Sequence, residues 1–276
     1  LLEKTGKAAQ ARPLYQQAAR TGTFHGFLAA DKLGQPYALC PWTPNDSAAA
    51  RAAVERDPAL QRAIELSKLD RPTWAAAEWK DALSRFDDTQ RRLAVEVASR
   101  NGWFDRAVFA LKGEQELRLY HLRFPLHHDE SIRREAARNA IDPAWVAAEI
   151  RAESIFNPKA RSPANAMGLM QVLPATGAAV ARSTGMTGYG GAASLYDADT
   201  NIAIGTAYLR QLMDKYGGLP YVTIAAYNAG PTPTARWQSQ RPGFDPDFWI
   251  ETISYKETRE YVARVLAFSV IYDWRL

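Results

Sequence analysis

The sequence has a single cysteine, Cys40, in 276 residues. No intrachain disulfide can form, so the fold must rest on its core and not on covalent staples. Cys40 stands in the apolar run Tyr37-Ala38-Leu39-Cys40-Pro41-Trp42, which predicts a buried structural thiol. Long apolar runs are also missing. The best candidate, Tyr261 to Trp274, is shorter than the ~18 residues a membrane span needs and carries Arg264 and Asp273, so no spanning helix is expected. Strand signals are weak, because no stretch shows sustained alternation rich in Val, Ile and Thr. Charge of one sign is scarce: the net charge is +4 and the pI about 9.1. Lysines and arginines are scattered, with none of the blocks that mark a nucleic-acid partner. The mild basic excess leans only weakly toward an anionic polymer. His127-His128 has no Cys, His or carboxylate cluster at ligand spacing nearby, so neither a metal nor another cofactor is expected. The chain begins at Leu1 and not Met. It reads as a processed form or a fragment, and the missing leader says little about export.

What is present is helix. Hydrophobic residues make up 47% and charged residues 23%, as in a soluble chain with a sizeable core. Leu14, Ala18 and Ala19, then Phe27, Ala30 and Leu33, recur at helical spacing, and Gly34 stops the second run. Pro36 to Pro44 reads as a linker, and Asn45-Asp46-Ser47 can cap a helix starting near Ala48. Alanine-rich amphipathic segments follow at about 48–55, 58–67, 72–86, 88–101, 103–112 and 114–122. Residues 17–24 and 97–104 echo each other, each a helix ending at Gly with an aromatic opening the next. That pattern suits a helical superhelix or ordinary helical hairpins. A helix is expected from Ser131 to Asn139. Another runs from Asp142-Pro143 to about Ser154, with Asp as cap and Pro in the first position. Residues 155–200 are rich in Gly, Pro, Ser and Asn. Long helices return at about 201–216, 219–228 and 256–273, and Asp199-Thr200-Asn201 reads as a cap.

One acid stands out. Glu149 and Glu153 are four residues apart near the end of an apolar helix and project from one face. A carboxyl there meets the negative end of the helix dipole. If it is also desolvated, its pKa rises, and an acid kept protonated near neutrality can donate to a glycosidic oxygen. Spacing alone favours two solvated glutamates on the helix face. Met167-Gly168-Leu169-Met170-Gln171 reads as packing around a tight turn. Tyr227-Asn228-Ala229-Gly230-Pro231 reads as a helix end with a capping Asn. Glu257 falls in the first turn of the last helix, where negative charge is favourable.

Order and spacing say more than any one of these. Glu153-Ser154, Ser162-Pro163, Gly168-Leu169-Met170-Gln171, Ala226-Tyr227-Asn228-Ala229-Gly230 and Glu257-Thr258-Arg259-Glu260-Tyr261-Val262 resemble, in that order, the soluble lytic murein transglycosylases. The catalytic domain of that family is similar to goose-type lysozyme. The resemblance covers about 125–276. Upstream, helical texture with Trp103-Phe104 and Arg123-Phe124-Pro125-Leu126 resembles the last helices of the family's superhelical U-domain and its linker (L) domain. The resemblance implies an all-α chain. Residues 1–45 would end the superhelix, 46–123 would form the L domain, and 124–276 the lysozyme-like catalytic domain.

It also implies roles. Glu153 would be the catalytic acid and then base. Ser162 and Gln171 would line the groove and bind sugar or acetamido groups, and Met170 would pack beside the acid and keep it dry. Tyr227 would hydrogen-bond near the acid, Asn228 would order the adjoining loop, and Glu257 would hold saccharide or the cleft wall. The partner would be peptidoglycan glycan strands in a bacterial periplasm, with no nucleic acid and no cofactor. Ala152 stands where the family often has Gln, and Ile253-Ser254-Tyr255 where it often has Ile-Pro-Phe. Glu149 occupies a position expected to be apolar, and as a like charge one turn away it could raise the pKa of Glu153 or simply face solvent. Asp197 and Asp199, the nearest rival carboxylates, read as turn and cap residues. One acid suffices if the substrate's 2-acetamido group stabilises the cationic centre and its own 6-hydroxyl attacks C1, leaving a 1,6-anhydro end. A hydrolytic muramidase on the same fold and a non-catalytic peptidoglycan-binding helical module are the alternatives.

Overall fold

The computed structural model describes residues 2–276. Among the described residues no strand forms, and extended pairing is limited to the isolated bridges Arg161–Met167 and Met167–Val172. The all-α reading therefore holds. Contacts divide the chain into two compact units, Pro41–Leu126 and the remainder. The segment up to Cys40 is thus gathered with His127–Leu276, whereas the sequence reading drew its boundaries at 45 and 123.

The first two helices are α1 (Ala8–Ala18) and α2 (Phe24–Leu33), which pack as a hairpin. Thr23 caps α2 by accepting from the Gly26 N–H. Gly34, at φ 62°, supplies the left-handed stop that its lack of a Cβ allows. Cys40 follows in an irregular segment and is exposed, not buried. The apolar run around it crosses the surface between helices, and its neighbours are at most half-buried.

The second unit contains α3 (Ala48–Glu55), α4 (Pro58–Lys68), α5 (Pro72–Arg85), α6 (Asp88–Arg100), α7 (Asp105–Ala110) and α8 (Tyr120–Arg123). Ser47 and Asp57 cap α3 and α4, and Asp87 with Gln90 forms a capping box on α6. The two helices expected at 103–112 and 114–122 are shorter than the periodicity suggests. The Glu116 carboxylate accepts from the N–H groups of Lys112 (3.0 Å) and Gly113 (2.7 Å), which fixes a turn between them. Leu60, Ile64, Trp79, Leu93 and Leu119 form the core. Three buried charges, Arg92, Asp46 and Glu96, and the partly exposed Arg51 lie beside it. Arg92 grips Asp46 with two hydrogen bonds of 2.5 and 2.7 Å, and Arg51 pairs with Glu96. Arg92 also stacks over Trp42.

The other unit continues with α9 (Asp129–Asn139), α10 (Pro143–Glu153), α11 (Pro174–Thr184), α12 (Ala198–Lys215), α13 (Pro220–Ala229), α14 (Pro231–Gln240), α15 (Pro246–Glu251) and α16 (Lys256–Arg275). Asp142 caps α10 by accepting from Ala144 N–H at 2.8 Å, with Pro143 in the first turn, as the sequence predicts. Every residue of α10 from Ala144 to Arg151 is buried, so this helix is central. Its most extensive partner is α16, which also packs against α13. The sequence reading did not mark α14 and α15. Pro231 and Pro246 open them from first-turn positions, a place where a proline starts a helix as readily as it stops one. The cap of α12 is Asp197, which accepts from Thr200 N–H at 2.9 Å. Asp199 lies inside the first turn and accepts from Ser131, so the predicted Asp199 cap moves two residues upstream.

The Arg92–Asp46 pair predicts the stability of its own unit. Removing Asp46 takes both short hydrogen bonds from the buried Arg92 and leaves it only the Glu96 carboxylate at 3.8 Å, a cost of roughly 2 kcal/mol. Asp46→Ala is expected to lower the urea midpoint accordingly, and an unchanged midpoint would show the pair to be energetically neutral.

Candidate active site

The site begins where α10 stops. Glu153 is its last residue, and the chain then turns through Ile155 (φ 54°) and Phe156 (φ 61°). Two consecutive non-glycine residues in the left-handed region cost about 1–2 kcal/mol each. Burial of Phe156, only 1% exposed, offsets that cost. The reversal ends the helix at Glu153 and places its carboxyl at the negative end of the dipole.

Residues 157–173 form a loop held by its own hydrogen bonds. Ser162 Oγ accepts from Ala166 N–H, and Met167 and Val172 exchange backbone bonds of 3.0 Å. Gln171, at φ 47°, donates through Nε2 to the carbonyls of Ala160 (3.1 Å) and Gly168 (2.9 Å). Asn201, fully buried on α12, clamps the turn from behind. It accepts from Met170 N–H (2.8 Å) and donates to the carbonyls of Met167 (2.9 Å) and Leu195 (2.7 Å). Gly168 (φ 76°) makes this approach possible, since a Cβ there would run into Asn201 and the Leu195 carbonyl. Gly205 in turn leaves room for the buried Met170 side chain.

Glu153 keeps part of its surface open, although its carboxyl lies mostly among protein atoms. Burial is the main reason that its pKa is pushed up to about 7. Tyr261 and Arg264 oppose the rise and Glu257 adds to it. Glu149, one turn back, has no exposed surface. Burial, and then the charge of Glu153, push it up to about 8, against the pull of Tyr261 and Trp145. Trp145 lies near it, but its Nε1–H makes no hydrogen bond, and neither does Glu149 Oε1. The Tyr261 hydroxyl sits between the two acids, 2.6 Å from Glu149 Oε2 and 2.5 Å from Glu153 Oε1. Glu257, Tyr261 and Arg264 fall at i, i+4 and i+7 on α16, and all three act on Glu153.

Tyr227 donates to the Met170 carbonyl at 2.7 Å and stacks near Tyr208. Burial and the two nearby glutamates raise its pKa. Asn228 accepts from Thr258 Oγ1 at 2.7 Å, tying the end of α13 to the start of α16. Glu257 and Tyr227 therefore lie close enough to Glu153 to interact with its charge, and the turn carrying Met170 and Gln171 meets them through the Tyr227 bond to the Met170 carbonyl. Ser162 and Gln171 spend their described bonds within their own loop. Tyr261, Arg264 and Asn201 are the participants that sequence reasoning missed. Tyr261 lies in the quoted motif, four residues after Glu257 on an apolar helix face, which was signal enough.

Comparison with known proteins matches the Transglycosylase SLT domain family to residues 130–250. The soluble lytic murein transglycosylase L domain matches 53–113, and the soluble lytic transglycosylase helical domain matches 252–276. That last match falls on α16, at the opposite end from the residues 1–45 in which the sequence reading placed the superhelix. Soluble lytic murein transglycosylase of Escherichia coli strain K12 is 31% identical over 99% of this chain and 42% of its own length. A putative soluble lytic murein transglycosylase of Haemophilus influenzae is 33% identical over 91% and 42%. Among solved structures, the 70 kDa soluble lytic transglycosylase of E. coli superposes with a TM-score of 0.89 at 30% identity, covering 100% of this chain and 44% of that one. An inactive Glu-to-Gln mutant of lytic transglycosylase Slt from Pseudomonas aeruginosa gives 0.87 at 33% identity, covering 96% and 43%. The chain thus spans less than half the length of these relatives.

Two outcomes are expected of the site. Asn201→Ala removes three buried hydrogen bonds and should destabilise the unit by about 3 kcal/mol; chemical denaturation measures it, and a loss below ~1 kcal/mol would mean that the turn holds itself. The raised carboxyls also link stability to pH. Between the ordinary 4.5 and about 8, the folded chain keeps a proton on Glu149 that the unfolded chain has released, so stability falls as pH rises through that window. The drop in Tm from pH 5 to pH 8 should shrink in Glu149→Gln, and equal drops would remove Glu149 as its source.

Proposed function

We propose that the chain belongs to the soluble lytic murein transglycosylases and is itself a lytic transglycosylase of peptidoglycan. The bond cleaved is the β-1,4 link between N-acetylmuramic acid and N-acetylglucosamine. The observation that carries this reading is Glu153: a carboxyl with a pKa near 7 at the end of a buried helix, inside the region matched by the SLT family. The glutamate-to-glutamine change in the inactive Pseudomonas relative supports dependence on one such acid.

Glu153 donates its proton to the glycosidic oxygen as the C1–O bond breaks. The 2-acetamido oxygen of the muramic acid steadies the positive charge at C1. The sugar's own 6-hydroxyl then attacks C1 and its proton returns to Glu153, leaving a 1,6-anhydro end and a carboxyl ready for the next cycle. An intramolecular hydroxyl outcompetes water by an effective molarity on the order of 10⁵ M when well oriented. Gln171, whose Nε2 is engaged with its loop, offers its Oε1 to an acetamido N–H. Ser162 and Glu257 line the same groove, and Tyr227 and Asn228 hold its walls in place. Met170 keeps the acid dry. In this reading residues 1–45 close a superhelical domain, 46–123 form the L domain and 124–276 the catalytic domain. The glycan substrate places the protein's work in the periplasm. No described helix is long and apolar enough to cross a membrane.

Digestion of purified sacculi tests the reaction. Muropeptides ending in anhydro-muramic acid, lighter by one water than reducing ends, are the expected product, and Glu153→Gln should lower turnover by about 10²-fold or more. Reducing ends throughout would replace this reading with a hydrolytic muramidase. An inert wild-type chain that still binds glycan would make it a binding module. Because the acid form is the active one, kcat should fall as pH rises through about 7, and a rate that climbs across that range would contradict the assignment.

A further inference from the structure

The Tyr261 hydroxyl lies within hydrogen-bond distance of two carboxyl groups but has one proton to give. If both glutamates were ionised, Tyr261 could donate to only one. The other would then press a bare carboxylate against the phenol oxygen, in a site without solvent to screen it. The contacts are all favourable when Glu149 is a neutral acid. It then donates from Oε2 to the Tyr261 oxygen, and Tyr261 donates to Glu153 Oε1. Glu149 is fully buried and reaches no solvent.

We propose that Glu149 is a positioning residue that works as a neutral hydrogen-bond donor, turning the Tyr261 hydroxyl onto Glu153 Oε1 and so leaving Oε2 to carry the transferable proton. The proposal rests on Glu153 being the acid of the reaction. The consequence is directional. With Oε1 occupied as an acceptor, the proton of Glu153 sits on the other oxygen. When that proton leaves for the glycosidic oxygen, the new carboxylate already holds a hydrogen bond from Tyr261. Nothing moves within the triad and no proton is lost, because the same proton returns from the 6-hydroxyl. If Glu149 ionises, Tyr261 turns toward it. Glu153 then loses its donor and gains a like charge one turn away, so both acids must be protonated in the active form.

Among the described residues, no cation acts on Glu149, and the one acting on Glu153, Arg264, is opposed by Glu257. From α16, Glu257 and Arg264 act on Glu153 with opposite signs. From α13, Tyr227 faces both acids and donates elsewhere. On α9 the buried Glu135 is paired with Arg134 and Arg138. Within α10, Arg151 stacks over Phe268, and Trp145 supplies only an indole.

The experiment compares wild type, Glu149→Gln and Glu149→Leu on sacculi across pH 5–9. Requiring two protons makes the alkaline limb of log kcat approach a slope of about −2 in wild type, and Glu149→Gln should relax it to about −1. Glu149→Leu should lose kcat by roughly tenfold at pH 6 with little change in KM, and Glu149→Gln, which keeps a donor, should recover part of that loss. Equal slopes in wild type and Glu149→Gln, or full kcat in Glu149→Leu, would overturn the proposal. Carboxyl titration by ¹³C NMR reads the same triad without turnover. A glutamate carboxyl titrating above pH 7 must be present in wild type and absent in Glu149→Gln, and its absence from wild type would also overturn the proposal. A chain inert on sacculi that shows this titration would refute the proposed reaction and leave the hydrogen-bond arrangement standing.

Discussion

One hydroxyl group organises the site. Tyr261 reaches from α16 to α10 and touches both carboxyls at 2.5–2.6 Å. Two acids on successive turns of a buried helix repel each other when charged and are costly to desolvate. A donor between them turns that conflict into a directed chain. The close pairing of α10 and α16 is therefore a condition for the acid as well as a feature of the core. Asn228 and Thr258 fix the start of α16, and through it the height of Tyr261 along α10.

The same logic explains where strain is tolerated. Ile155 and Phe156 adopt left-handed backbone immediately after the acid, and the turn at Gly168 and Gln171 does so a few residues later. Each is backed by something fully buried: Phe156 itself behind the first, Asn201 behind the second. A helix that continued past Glu153 would carry its carboxyl away from the dipole end and cover it with another turn. Stopping the helix there keeps the group both desolvated and reachable.

Much of this was legible in the sequence. Asp142-Pro143 marked the start of α10, the four-residue spacing put Glu149 and Glu153 on one face, and the ordered motifs led to the family. Whether the two acids met in the interior or in solvent was not legible, because that depends on which face of α16 turns inward. Tyr261 could be picked out by its place in the motif, but not its contact with both acids, because that is set by a partner 108 residues away. Cys40 failed differently. An apolar neighbourhood in sequence predicts burial only when the segment packs, and this one is an irregular connection between helices. The helices opened by Pro231 and Pro246 were missed because proline punctuates both ends of a helix, and only tertiary context decides which. Asn201 read as part of a cap. The cap lies at Asp197, and that shift of register frees Asn201 to point inward and hold the turn.

The geometry also bears on how many carboxylates can take part in the chemistry. An ordinary retaining glycosidase needs a second carboxylate about 5 Å from the acid, on the face of the sugar opposite the leaving group. Glu149 is near enough in space but sits on the wrong side. It has no exposed surface, lies one turn deeper on the same helix, and has its Oε2 against Tyr261. No sugar carbon can approach it. Asp197 is occupied with the cap of α12, and Asp199 with Ser131. In the proposed reaction, stabilisation of a developing cation at C1 would then fall to the substrate's own acetamido group. An acid that both gives and regains its proton suits that arrangement best when it is neutral at rest and already hydrogen-bonded when charged. The contact from Tyr261 supplies the second of these conditions, and burial supplies the first.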